Sequence, residues 1–445
     1  LESASVPPAA PTRGKLVQIL GVGFGLAVIV GNTIGAGILE KPGVIAAQLP
    51  AAWMFLAIWL AGGLYALLGA ISIAELGVMM PSSGGQYVFA RHALGDYAGF
   101  VVGWSDCIST CAATAFISLL LSQYAGVLIP PLAPYATAVS VGTILFFTIL
   151  QWRGTRWGGN TQNITSLLKA AALIVLVVAC FALGHPEGHH EAAQLETPQG
   201  FALFVAIVIS LQGVIYTYDG WTGVIYFSEE VRNPARDIPR SMFGGALSVI
   251  AIYLLINLAT LYVLPISRIA GSDLALGRAA EVVFGARGDQ IFRTLVMVGM
   301  FSAVNACQLM ATRVLFAMGR DKLFLAKAGE ANRGGTPTLA LCLTTIVSIF
   351  FVVTGTTDQV SAVAAFFFVV NYAISFSIVF LLRRREPDRP RPYRAWGYPW
   401  TTGFSLLGSI GFLIGAVVGD PANSRYALLV LAVSYPIFLL IRRAK

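Results

Sequence analysis

Two short polar segments interrupt long apolar stretches: "GNTIGAG", from Gly31 to Gly37, and "YTYDGW", from Tyr216 to Trp221. In the first, Gly31, Gly35 and Gly37 relieve steric restriction, so the backbone around Asn32, Thr33, Ile34 and Ala36 can turn N–H groups into a cavity. A half-helix restarting near Gly37 would aim its positive end there, which suits a carboxylate. The spacing of Gly31 and Gly35 also fits a small-xxx-small packing face. In the second segment, Asp219 is an acid amid apolar residues, where a carboxylate is costly and faces protein or water. It can bind an ammonium group, accept a proton, or cap a restarted helix. Gly220 can open the helix, and Tyr216 and Trp221 can shape or cover a pocket. Two further ionisable residues lie within apolar stretches: Lys169 in "NITSLLKAAALIV" and Asp106 in "GWSDCISTC". Asp106 would pair with a basic group or line a water-filled path.

The elements that must hold these residues are membrane spans. Of the 445 residues 57% are hydrophobic and 11% charged, mean hydropathy is +0.76, and a typical soluble domain is about 25% charged. A crossing helix needs about 20 apolar residues. Twelve segments meet that test: 16–49, 52–78, 95–122, 133–151, 163–184, 200–231, 241–264, 290–319, 337–354, 358–383, 401–419 and 424–443. The first and sixth are longer than a crossing needs, and these two carry the breaks. In hydrocarbon an unsatisfied N–H or C=O costs several kcal/mol, so unwound backbone persists only where protein, water or ligand satisfies it. Matching interruptions in two halves predict an inverted repeat with a site at the midplane.

The charge of +8 is a topology signal. With the N-terminus inside, one side keeps only Lys41, Arg268, Arg278, Arg287, Arg293 and Arg425. Lys169 and Arg313 lie within spans, and the rest of the 29 basic residues fall on the other, cytoplasmic side. Both termini are therefore expected in the cytosol, and nucleic-acid binding is not expected. The segment "LESASVPPAAPTRGK" lacks the apolar core of a cleavable signal and reads as a cytosolic tail. The five cysteines fall in spans, with no disulfide framework. His185, His189 and His190, with Glu187 and Glu191, lack a closed structural-zinc pattern, so no metal is expected. No Walker loop is present, and no cofactor is expected.

Several motifs occur in one order over nearly the whole chain: "VGNTIGAGI", "AELGVMMPSSGGQY", "YTYDGWTGVIYFSEEVRNPARDIP", "ATRVLFAMGRDKLF" and "RPYRAWGYPW". Together they resemble the amino acid-polyamine-organocation superfamily, most of all its L-type amino acid transporter branch. The resemblance implies an all-α integral membrane fold of twelve transmembrane helices, a five-plus-five inverted repeat (LeuT-like fold) with discontinuous helices 1 and 6. The divisions would be a tail at 1–15, repeat one at 16–184, repeat two at 200–385, and the last two helices with the C-terminus at 401–445. It also implies that Asn32, Thr33, Ile34, Gly35, Ala36 and Gly37 bind a substrate α-carboxylate through backbone N–H groups. Around Tyr216, Tyr218, Asp219, Gly220 and Trp221, freed carbonyls would receive the α-ammonium, and Tyr216 would be the gate. Asn305 would face the substrate side chain, and Arg313 would be structural. Lys169 would sit where sodium-coupled relatives hold an ion, which argues against sodium coupling and makes it either a proton carrier or a fixed cation. The family commonly has Gly-Ser-Gly where this chain has Gly35-Ala36-Gly37, so a hydroxyl donor is missing. Asp219 is aspartate in some relatives that accept dibasic amino acids, which keeps cationic substrates open.

The expected function is secondary transport of free L-amino acids across the cytoplasmic membrane by alternating access, as exchanger or proton-coupled symporter. A polyamine or decarboxylation-product antiporter is the alternative within the superfamily. A membrane-embedded enzyme would need converging acids, bases or metal ligands near one membrane face, and the acids here are scattered. A channel would need a continuous polar pore. The connection "AGVLIPPLAPY" holds no cysteine, so no disulfide-linked accessory subunit is expected.

Overall fold

The computed structural model describes residues 20–35, 37–186, 195–272, 274–355, 357–419 and 421–443. Among them the chain is helical: α1 (Val22–Thr33), α2 (Gly37–Gln48), α3 (Ala52–Met79), α4 (Gln86–Leu94), α5 (Asp96–Leu128), α6 (Ala136–Trp152), α7 (Thr155–Leu183), α8 (Gly200–Thr217), α9 (Pro234–Val263), α10 (Ile266–Ile269), α11 (Ala275–Phe284), α12 (Gly288–Arg320), α13 (Thr338–Thr354), α14 (Thr357–Arg385), α15 (Trp400–Gly419) and α16 (Pro421–Arg443). Extended pairing among the described residues is limited to an isolated parallel bridge between Leu20 and Val231.

Among the described residues ten helices are long and apolar enough to cross a membrane, eleven spans if α1 and α2 count as one broken crossing. The remaining expected span, the ninth, is α13, which has 17 residues, just under the length of a perpendicular crossing. Hydropathy finds the part of a helix at lipid depth, and several helices continue past it. α9 starts at Pro234, before the expected 241, and runs through Arg236, Asp237 and Arg240. Its start is set by proline in the first turn, where the missing N–H has no partner to lose.

Burial separates centre from periphery. In the spanning parts of α5 and α12, 72% and 76% of residues are buried, against 22% in α15 and α16. α5 and α12 pack against each other, as do α3 and α9. α15 and α16 turn Phe404, Leu407, Ile414, Leu428 and Leu429 outward, at no cost beside lipid tails that are equally apolar.

Both expected breaks are present. α1 and α2 meet at a bend of 45°. At the end of α1, Gly35 N–H turns back to Thr33 O (2.8 Å), which leaves the Gly31 carbonyl without its helical partner. The sixth predicted span, 200–231, is α-helical only to Thr217. Gly220 has φ +112°, a region that side chains rarely adopt. Beyond it a 3₁₀ turn over Gly223–Phe227 and further turns lead to the bridge, where Leu20 N–H donates to Glu230 O (3.0 Å) and Arg232 N–H to Leu20 O (2.8 Å). The chain just before α1 is thus clipped to the chain just before α9.

Candidate functional site

The two breaks face one another. A Cβ on Gly220 would overlap Asn32 Nδ2 and the backbone N and Oγ1 of Thr33, and one on Gly37 would overlap Thr217. Glycine at these positions lets the unwound segments touch. Their freed carbonyls are met by side chains from elsewhere. Lys169 Nζ, on α7, donates to Gly31 O (2.8 Å) and to Ile34 O. Tyr253 Oη, on α9, lies 2.7 Å from Thr33 O and 3.1 Å from Thr217 O, sharing one hydrogen between the two breaks. Each such group left alone in a buried place would cost about 1–3 kcal/mol.

Between the breaks lies a cavity of about 50 Å³, enough for a few waters at about 10–15 Å³ each. Asn32, Thr33, Gly35, Gly37, Tyr216, Thr217 and Asp219 form its polar side, and Ala113, Phe116, Ile117, Cys307 and Phe368 its apolar side. Cys307 Sγ also donates to Asn32 Oδ1 (3.2 Å). The Thr33 hydroxyl is buried and has no partner among the described residues. Asp219 accepts a hydrogen bond from Tyr372 Oη of α14, and the Tyr372 ring packs 4.8 Å from Trp221.

The expected site residues therefore divide. Asn32, Thr33, Gly35, Gly37, Tyr216 and Asp219 surround the cavity. Ile34 lines an adjoining space of about 20 Å³ beside Lys169 and Phe292. Ala36 lies outside the described residues. Tyr218 turns away from the cavity onto α3, its ring 6.3 Å from Trp59 and 4.9 Å from Tyr253, over Gly62 and Gly63. Trp221 packs over Gly69 of the same helix. Asn305 does not reach the cavity: its Nδ2 donates to Gly158 O (3.1 Å) and Gln162 Oε1 (2.9 Å), and its Oδ1 accepts from Gln151 (3.0 Å). The α12 residue that does reach it is Cys307, two positions on. Tyr253, Tyr372 and Phe368 were not singled out from the sequence, where each is one aromatic residue in an apolar run.

The other motif residues tie helices together. Arg313 and Glu230, both buried, form a two-pronged pair (2.9 and 3.1 Å), and Arg320 grips Glu229 (2.7 Å). Glu75 accepts from Arg383 (2.6 Å), Arg391 (3.1 Å) and the Ala395 N–H (2.7 Å). Asp106 has no basic partner among the described residues: its Oδ1 accepts from Tyr226 Oη (2.8 Å). His189, His190, Glu187 and Glu191 lie outside the described residues, and no metal-binding cluster occurs among those described.

Comparison with known proteins gives a consistent result. The sequence matches the amino acid permease family over residues 24–441. It is 29% identical to the serine/threonine exchanger SteT of Bacillus subtilis across 97% of this chain and 98% of that one. Identity is 27% to the branched-chain amino acid permease BcaP of Lactococcus lactis, covering 88% of each. The human b(0,+)-type amino acid transporter 1 is 26% identical over 87% of this chain and 81% of its own.

Proposed function

Because this chain belongs to the amino acid permease family, a multi-pass membrane protein and transporter rather than an enzyme, we propose that it moves free L-amino acids across the plasma membrane by alternating access. The observation that carries this reading is the pair of facing breaks, with a cavity between them and side chains from α7 and α9 holding the carbonyls that unwinding frees. The backbone N–H groups of Asn32 to Gly37, at the start of α2, bind the substrate α-carboxylate. The unpartnered Thr33 hydroxyl offers the donor that Ala36 lacks. Carbonyls of the Tyr216 to Gly220 segment take the α-ammonium, and Tyr216 closes over the substrate.

The side-chain space is bounded by Ala113, Phe116, Ile117, Cys307 and Phe368, and the Asp219 carboxylate is engaged by Tyr372. Both features favour neutral substrates, in the range that the serine/threonine exchanger and the branched-chain permease span. Lys169 serves as a fixed cation: its two acceptors are main-chain carbonyls of the first break, so it braces that break in the absence of sodium. Exchange of one amino acid for another needs nothing more.

We read the architecture as twelve crossings in two inverted five-helix repeats plus α15 and α16, with α13 as the ninth crossing. The packing supports this, since α3 lies against α9, α5 against α12 and α6 against α13, each crossing against the one five places later. We read both termini as cytosolic, and the distribution of basic residues supports this. Purified protein in sealed liposomes is expected to show saturable uptake accelerated by internal amino acid. Absence of both uptake and counterflow across all standard amino acids would overturn the reading.

A further inference from the structure

Asp106 stands ten residues into α5, is fully buried, and plays no part in the cavity just described. Its Oδ1 accepts from Tyr226, and its Oδ2 is buried with no partner among the described residues. The hydroxyls of Ser109 and Thr110 donate to its main-chain carbonyl (3.0 and 2.7 Å) and leave the carboxylate alone. The buried basic residues are engaged elsewhere, Lys169 at the first break and Arg313 at Glu230. Tyr226, from the segment after α8, bonds to Asp106; Asp219 of the same segment and the neighbouring Cys107 lie within electrostatic reach of Asp106, and Tyr372 of α14 within that of Tyr226. A carboxylate so placed is costly unless it takes up a cation or a proton. A hard metal cation needs several oxygens at once, whereas the one free atom, Oδ2, suits a proton.

A second observation gives that proton a route into the transport cycle. Asp219 and Tyr226 sit on the one segment of turns and 3₁₀ helix between α8 and α9 and make bonds of opposite sense to the helices around it. Asp219 accepts from Tyr372 on α14, and Tyr226 donates to Asp106 on α5. Moving the segment against α5 and α14 breaks both bonds together and strips Asp106 of its hydrogen-bond partner.

We propose that Asp106 binds and releases the proton that drives net uptake, with Tyr226 linking its protonation to movement of the second break. The carboxylate takes a proton from hydronium at one membrane face, giving a carboxylic acid and water, and returns it to water at the other; no other bond changes. This rests on the transporter reading above, and the test separates the two.

The full protein is placed in sealed liposomes with radiolabelled L-serine or L-leucine as probe. The wild type is expected to show counterflow and, with the interior alkaline, accumulation; one proton per substrate supports about tenfold accumulation for each tenfold proton gradient. Asp106→Asn is expected to keep counterflow and lose the gradient-driven accumulation. Asp106→Glu keeps it, and Tyr226→Phe shifts its pH profile. The proposal is overturned if wild-type accumulation ignores the proton gradient or responds only to sodium, or if Asp106→Asn accumulates as the wild type does. Should Asp106→Asn fail to fold, unaltered pH profiles in both Asp106→Glu and Tyr226→Phe overturn it. Absence of counterflow in the wild type with every amino acid instead overturns the transporter reading itself.

Discussion

Single hydrogen-bond donors hold the centre of this protein. Tyr253 spans both breaks with one hydroxyl, so Tyr253→Phe takes this donor from the Thr217 carbonyl and from the Thr33 carbonyl, which keeps the Gly35 N–H. We expect about 1–3 kcal/mol of lost stability, read as earlier thermal unfolding in detergent, with weaker substrate binding. Thr33 separates side-chain chemistry from backbone shape. Thr33→Val keeps the β-branched shape and removes the unpartnered hydroxyl, so it should weaken substrate binding by about 1 kcal/mol, and Thr33→Ser should restore it. Equal affinities in Thr33→Val and wild type would remove that hydroxyl from the site. Asp219→Asn addresses side-chain charge: with the carboxylate held by Tyr372, counterflow of neutral and cationic amino acids should fall alike, and a selective loss of cationic ones would show that the carboxylate turns to the substrate.

At the scale of elements, the unwound segments are restrained from both ends. Near the cavity Tyr253 ties them together. Farther along, the Leu20–Val231 bridge joins the start of α1 to the start of α9, and Glu230 in that same stretch is held by Arg313 of α12. Removing one partner of a buried ion pair leaves a bare charge, so Arg313→Met should destabilise the fold by about 3–5 kcal/mol. Adding Glu230→Met should recover part of the loss, since two apolar groups replace two charges. Purely additive losses in the double variant would mean that the pair contributes nothing as a pair. The Glu75 cluster plays the corresponding part between α3, α14 and the chain before α15. Asp219 apart, the motif acids Glu75, Glu229 and Glu230 and their arginine partners thus form joints between helices, away from the cavity.

For the whole molecule, the number of crossings decides where the ends lie, and α13 is the element on which the number turns. If α13 crosses, the count is even and both termini share a side; if it does not, they are opposed. In a cysteine-free background, single cysteines from Ser3→Cys and Arg442→Cys are expected to react with a membrane-impermeant maleimide only after the membrane is opened from the cytoplasmic side. Labelling of one from outside intact cells would show α13 lying short of a full crossing. The internal pairing of α3 with α9, α5 with α12 and α6 with α13 argues for the even count, because a twofold relation needs a partner for α6.

The sequence by itself determined that the chain is a bundle of apolar helices and where two of them break, because the cost of bare backbone in lipid makes every polar glycine-rich interruption conspicuous. It also placed Asn32 to Gly37 and Tyr216 to Asp219 at those breaks, since glycine and acid signals are local. Ends of helices were less legible: α9 begins among polar residues that hydropathy discounts, and α5 runs on to Leu128, past the expected 122. Only the tertiary structure decided which side chains complete the site. Tyr253, Tyr372 and Cys307 reach it from helices far away in the chain, while Asn305 and Tyr218, close in sequence to residues that reach it, turn elsewhere. A helix places successive residues on different faces, and which face meets the cavity is set by packing against its neighbours, a property that no local run of residues carries.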